Sequence, residues 1–265
     1  MNKNLTILGA GNMGAAIAGQ LAESGYHITI FDIQEQKARE AASQSENIVI
    51  AENIKTALEK NSPILFAVKP AYISELASNI QDERLIISIA AGITLDAIDA
   101  ARTHSGPTVR AMPNTPLQVS EGVTALVTNS RATEESLVFT TSLFECCGEV
   151  VVLDNENQMH AVTALSGSGP AYVMSFMQAL EDGAVLNGLP RELARKLARQ
   201  TIAGSIALER NHPGSANDII QQVTSPGGTT IAGLKALKQH GFDNAVQEAI
   251  TMATKRSKEL STGKD

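Results

Sequence analysis

The chain has 265 residues, 43% of them hydrophobic, which suits about two packed domains and excludes a disordered or fibrous protein. A formal net charge of −7 with no Lys/Arg cluster, and 3% aromatics with no Trp, argue against a nucleic-acid surface, an anionic membrane or base stacking. Cys146 and Cys147 are adjacent and have no other cysteine to pair with, so small thiols in a reducing compartment are expected, with no disulfide framework and no metal.

Residues 5–8 are a short apolar run expected as a strand. Gly9-Ala10-Gly11-Asn12-Met13-Gly14 follow at once, and residues 15–24 have helical composition and spacing. That is a dinucleotide fingerprint in its required context: Gly9 for a tight turn, Gly11 for the approach of a pyrophosphate, Gly14 for close packing of helix on strand. The phosphates would face free N–H groups at a helix start. A second strand, residues 27–31, ends in Asp32, an acid placed to take the adenosine ribose hydroxyls. A plain strand–helix–strand turn, or a module that only senses the nucleotide, would look the same at this level. Lys3 before an alanine-rich stretch superficially resembles a secretory leader, but the glycines interrupt it. No stretch reaches the ~18 uninterrupted apolar residues of a membrane span, so a cytoplasmic protein without a membrane partner is expected.

Helices and short strands then alternate, the pattern of a doubly wound parallel sheet: helix 34–43, strand 48–50, helix 54–60, strand 64–68. Strand ends carry ligands in such sheets, so Ala67, Val68, Lys69 and Pro70 are expected in the cofactor crevice. For Lys69 a solvated loop position is the open alternative. Strand 85–89 runs into Ala90-Ala91-Gly92, whose small side chains would let a flat nicotinamide ring approach the backbone. Strand 108–111 ends in Met112-Pro113-Asn114-Thr115-Pro116, a loop made rigid by two prolines, either structural or functional. Strand 123–127, helix 134–144 and strand 149–153 complete a first domain, residues 1–156.

Residues 157–265 read as helices only. Residues 158–165 lead to Ser166-Gly167-Ser168-Gly169-Pro170, and 171–186 are apolar nearly all round, a helix that must be buried on every side. A domain of this size can hardly enclose it alone, so a homodimer is expected. Helices 191–209, 216–223, 230–239 and 244–260 follow. Between them Thr224-Ser225-Pro226-Gly227-Gly228-Thr229-Thr230 opens a helix with a glycine pair flanked by hydroxyls. Such a segment serves as an anion nest for a carboxylate, or equally as a Ser/Thr helix cap.

Carbonyl reduction by a nicotinamide needs a proton donor, commonly His or Lys, yet no lysine lies between Lys69 and Lys196 and the five histidines are scattered. Reduction of a C=N bond has no such need, because an iminium nitrogen is protonated before hydride arrives. A hydroxyl such as that of Thr230 would hold the ring nitrogen.

At these residues the chain resembles the pyrroline-5-carboxylate reductases. The resemblance runs through Gly9 to Gly14, Ala67-Val68-Lys69-Pro70, Ala90-Ala91-Gly92, Arg110 to Pro116, Leu165 to Tyr172 and Val223 to Thr230, in the family's order and over nearly the whole chain. It implies an N-terminal Rossmann domain followed by an all-α dimerisation domain and NADPH or NADH as coenzyme. The implied substrate is 1-pyrroline-5-carboxylate and the product L-proline, the last step of proline biosynthesis. It further implies dimers that assemble into larger rings, with the substrate pocket near the dimer interface. By matching position Thr230 would bond the substrate nitrogen, Gly227, Gly228 and Thr229, with Ser225 beside them, would surround its carboxylate, and Asn53 would lie near the coenzyme's adenosine end; Asn114, in the loop after strand 108–111, is also expected to bind the coenzyme. Family members commonly prefer NADPH; Asp32 would repel its 2′-phosphate, so NADH is expected to serve at least comparably. A β-hydroxyacid dehydrogenase shares this domain order, but it would want a catalytic lysine near the junction.

Overall fold

In the computed structural model, which describes residues 3–262, strands and helices alternate from the first residues onward. The outermost residues of the two expected domains, 1–2 and 263–265, lie outside this range. β1 (Asn4–Leu8), α1 (Asn12–Glu23), β2 (His27–Phe31), α2 (Glu35–Ala42) and β3 (Ile48–Ile50) form one half of the sheet region. α3 (Ile54–Leu58), β4 (Ile64–Phe66), α4 (Ile73–Ser78), β5 (Ile86–Ser88), α5 (Leu95–Ala101) and β6 (Thr108–Met112) form the other. β7 (Gly122–Thr128), α6 (Glu134–Glu145) and β8 (Gly148–Val152) finish it. Helices α4 and α5, absent from the sequence reading, supply the crossovers that parallel neighbours require.

The sheet order is β3-β2-β1-β4-β5-β6-β7-β8, with the reversal of winding between β1 and β4. Strand alternation sends Leu5 and Ile7 into one hydrophobic cluster with Ile17, Leu21 and Phe144. Leu8, Ile64 and Phe66 enter a second cluster with Ala57, Ile73 and Ile98. Both faces of the central strands are therefore covered, which is why they read as continuous apolar runs. One expectation needs correction: the sheet is not parallel throughout, because β7 runs antiparallel to β6 while β8 pairs parallel with β7. The loop between β6 and β7 holds only a 3-10 turn, Thr115–Val119, too short for a crossover helix. Pro113 precedes this turn and Pro116 lies in its opening residues, and the Asn114 side chain accepts the Val123 N–H at 2.9 Å, pinning the start of β7.

After β8 the chain is helical: α7 (Gln158–Val162), a π-helical segment Thr163–Gly167, α8 (Gly169–Leu186), α9 (Arg191–Arg210), α10 (Ala216–Gln222), α11 (Thr229–Gln239) and α12 (Phe242–Ser261). The described residues group into two compact units. The first runs to Ser168 and takes in the residues from Ala253 onward; the second is Gly169–Met252. Within the second unit α8 is not enclosed. Glu181 is its only buried residue, facing Arg191 at 3.2 Å, whereas Val173, Met174, Phe176 and Leu180 are exposed in the single chain. Among the described residues no helix is long and apolar enough to cross a membrane, and no group of three His, Cys, Asp or Glu is placed to hold a metal. Cys147 is buried, which pushes its thiol up to about 12.

Candidate active site

The glycine turn sits where β1 and β4 diverge. Gly9 has φ +109°, open to glycine without strain, and a Cβ there would strike the Ala67 carbonyl and come within 2.9 Å of Val68 Cγ1. Gly14 is as constrained, since its Cβ would collide with the Gly9 carbonyl and lie 3.0 Å from Ala67 Cβ. Gly11 differs: a Cβ there would meet nothing within 4 Å, so open space lies above the turn. Gly11 is the N-cap of α1 and brings no side-chain cap, which leaves the first N–H groups of the helix, those of Asn12, Met13 and Gly14, without intrahelical acceptors. Exposed Asn12 begins the helix, and half-buried Met13 packs against the core. A backbone donor row with a clear approach fits a pyrophosphate.

Asp32, at the end of β2, turns toward this row. Its Oδ2 accepts the Ala10 N–H at 2.7 Å and its Oδ1 accepts the Gln34 N–H at 2.8 Å. Each carboxylate oxygen keeps a second lone pair for a ribose hydroxyl. Asn53 caps α3, its Oδ1 accepting the Thr56 N–H at 2.9 Å, and is itself exposed. Lys69 and Pro70 are exposed after β4, with Pro70 opening a 3-10 turn. Ala90 is buried, Ala91 exposed, and Gly92 has φ +78°, packed beside Leu260 of α12. Buried Asn114 stands at the end of β6, with its carbonyl committed to β7.

Next to these strand ends lies a polar knot that composition and spacing did not single out. Arg110 on β6 is 2% exposed, and its Nη1 donates to Glu156 Oε1 at 2.8 Å. His160 on α7 meets Ser257 of α12 at 3.0 Å. Burial, then the positive charges of Arg110 and Lys258, hold the His160 imidazole below its ordinary value against a smaller opposite pull from Glu156. A buried arginine in an apolar strand is the signal that could have found the knot, since such a charge needs a partner.

In the second unit, Gly227 adopts φ +70° and the Gly228 N–H donates to the Ser225 carbonyl at 3.0 Å, closing a turn before α11. The N-cap of α11 is Gly228, with no side-chain cap. Of the two readings open for this segment, the hydroxyl cap is not the one adopted. The N–H groups of Thr229, Thr230 and Ile231 are left at the helix start, beside the half-buried Thr230 side chain. A carboxylate suits that position through both hydrogen bonding and the helix dipole.

Comparison with known proteins agrees with both halves. Residues 156–260 match the family described as pyrroline-5-carboxylate reductase dimerisation, and residues 4–92 match the NADP oxidoreductase, coenzyme F420-dependent, family. The chain is 39% identical to the pyrroline-5-carboxylate reductase of Escherichia coli, over 98% of this chain and 99% of that one. It superposes on a pyrroline-5-carboxylate reductase from Coxiella burnetii with a TM-score of 0.91 and 31% identity, covering 98% and 99% of the two chains. The Plasmodium falciparum pyrroline carboxylate reductase with NADP bound gives a TM-score of 0.85 at 29% identity, covering 97% and 99%.

Proposed function

The chain belongs to the pyrroline-5-carboxylate reductase family, and from that premise we infer that it reduces 1-pyrroline-5-carboxylate to L-proline at the expense of NADPH or NADH. The observation that carries the reading into residues is the uncapped start of α11 behind Gly227 and Gly228, a carboxylate site that uses no arginine.

Bound in the first unit, the reduced nicotinamide supplies a hydride, which forms the new C–H bond at the imine carbon while the C=N π pair moves to nitrogen. The chain's own residues bind and orient. Asn12, Met13 and Gly14 offer N–H groups to the pyrophosphate, with Gly9, Ala10 and Gly11 shaping the turn. Asp32 and Asn53 flank the adenosine end, while Ala67, Val68, Lys69, Pro70 and Asn114 line the crevice. Ala90, Ala91 and Gly92 lie along the nicotinamide. In the second unit, Thr229 and its neighbours hold the substrate carboxylate within the turn of Ser225, Gly227 and Gly228. Thr230 Oγ1 accepts a hydrogen bond from the protonated ring nitrogen and so turns the imine carbon to a fixed face. Because that nitrogen arrives protonated, no acid is required; the amine formed takes its further proton from solvent.

Residues 157–265 act as the substrate and dimerisation domain. The exposed apolar side chains of α8 are covered in a homodimer, and dimers join into rings. The enzyme works in the cytoplasm with NADH at least comparably to NADPH, since the Asp32 carboxylate repels a 2′-phosphate. The test is oxidation of each coenzyme by the purified protein with pyrroline-5-carboxylate. Oxidation coupled to proline formation is expected, and no turnover with either coenzyme would overturn the reading.

A further inference from the structure

Glu156 lies between β8 and α7, and a single one of its oxygens joins three parts of the first unit. Oε1 accepts the Leu95 N–H at 2.8 Å and also the Arg110 Nη1 at 2.8 Å. Leu95 is the first residue of α5, so the carboxylate takes one of the N–H groups that a helix start leaves without an intrahelical acceptor. Thr94 takes another, its Oγ1 accepting the Ala97 N–H at 3.2 Å. Arg110 is fully interior, and its Nη2 is buried without a partner among the described residues, which makes the Glu156 contact the one that answers its charge. The loop between β5 and α5, residues 89–94, is therefore held at its exit by Glu156. At its entry the Ile89 N–H donates to the Phe66 carbonyl at 3.1 Å. Its bend at Gly92 rests beside Leu260, on the same helix that His160 fastens through Ser257.

We propose that Glu156 is a positioning residue for hydride transfer: by locking residues 89–94 against β6, it sets where the nicotinamide edge rests on Ala90, Ala91 and Gly92. The inference rests on the reading that this stretch borders the nicotinamide. A displacement of the loop by about 1 Å would leave the pyrophosphate and adenosine contacts intact yet cost about a hundredfold in the transfer step.

The test begins with the protein free of coenzyme. In Glu156→Ala, amide exchange over residues 89–95 should rise at least about tenfold. Coenzyme Kd should stay within about threefold, kcat should fall by about a hundredfold, and the isotope effect from coenzyme deuterated at the transferred position should grow. Glu156→Gln keeps one oxygen before both donors and should restore most of the rate. Leu95→Pro removes the Leu95 N–H together with a buried leucine side chain and leaves the Arg110 pair, so it is read against Leu95→Ala, which loses that side chain and keeps the N–H; proline is accepted at a first helical position, and Thr94 is already extended. It should reproduce the loss, and it decides the matter if Glu156→Ala does not fold with Arg110 unpaired. Ala91→Leu probes the underlying placement by blocking the nicotinamide side. Wild-type turnover in Ala91→Leu would sink both the placement and the proposal. An impaired Ala91→Leu together with wild-type kcat and isotope effect in Leu95→Pro, or in a folded Glu156→Ala, would overturn the positioning role alone.

Discussion

The Asp32 carboxylate accepts the Ala10 N–H at 2.7 Å, so the acid that ends β2 and the backbone of the glycine turn are one hydrogen-bonded piece. The residue proposed to meet the adenosine end is thereby held in place by the turn itself. Because its charge stays at the turn, substitution has a readable effect on coenzyme choice. Asp32→Ser should raise the ratio of kcat/KM with NADPH to that with NADH by about 10–100-fold, the loss of a charge-assisted hydrogen bond to the ribose adding to relief of repulsion. Parallel initial-rate measurements with both coenzymes check it; an unchanged ratio would mean that Asp32 does not contact the ribose.

Two glycines of the same turn should respond in opposite ways. Gly14→Ala pushes a methyl into the Gly9 carbonyl and against Ala67, an overpacking that should cost about 1–3 kcal/mol and lower Tm. Gly11→Ala points a methyl into open space, so Tm should hardly move while coenzyme Kd weakens by tenfold or more (about 1.4 kcal/mol). Thermal melts and coenzyme fluorescence titrations separate the two effects.

Thr230→Ala would remove the hydrogen bond proposed for the charged ring nitrogen, and it should lower kcat/KM for pyrroline-5-carboxylate by about 10–100-fold. Coenzyme Kd should be unaffected. Full turnover in this variant would remove Thr230 from the mechanism.

His160 gives a pH signature. Burial and the facing positive charges depress its folded-state pKa below its ordinary value. As pH falls through that value the unfolded chain binds the proton first, so stability is lost on the acid side and fully present above it. Tm measured from neutral pH downward should fall less steeply in His160→Asn than in the wild type, and an identical slope would show that His160 does not contribute.

Met174 is 54% exposed on α8 in the single chain. Met174→Glu puts a charge where the dimer would desolvate it, and light scattering on a sizing column should show a smaller species than the wild type. An unchanged mass would place the interface elsewhere.

Much of the fold was legible because the signals are local. The strand ending at Leu8, the glycine turn, the helix behind it and the acid at position 32 are set by short-range backbone sterics and by hydrophobic period; the two strands stand within a residue of their expected place, while the helix begins at Asn12, three residues earlier than expected. Helices α4 and α5 were not among the expected elements, although the Thr94 side chain that caps α5 is a local start signal of the same kind.

By itself, then, the order of residues determined the alternation of strands and helices, the tight glycine turn before α1 and the loop at Gly227 and Gly228, all of which depend on neighbours a few positions apart. Only the tertiary structure decided the antiparallel turn of β7, the bond from Asp32 back to Ala10, the exposure of α8 and the meeting of Leu95, Arg110 and Glu156. The two polar meetings join groups from 22 to 61 positions apart along the chain, and local period and propensity carry no record of which distant group will answer a buried charge.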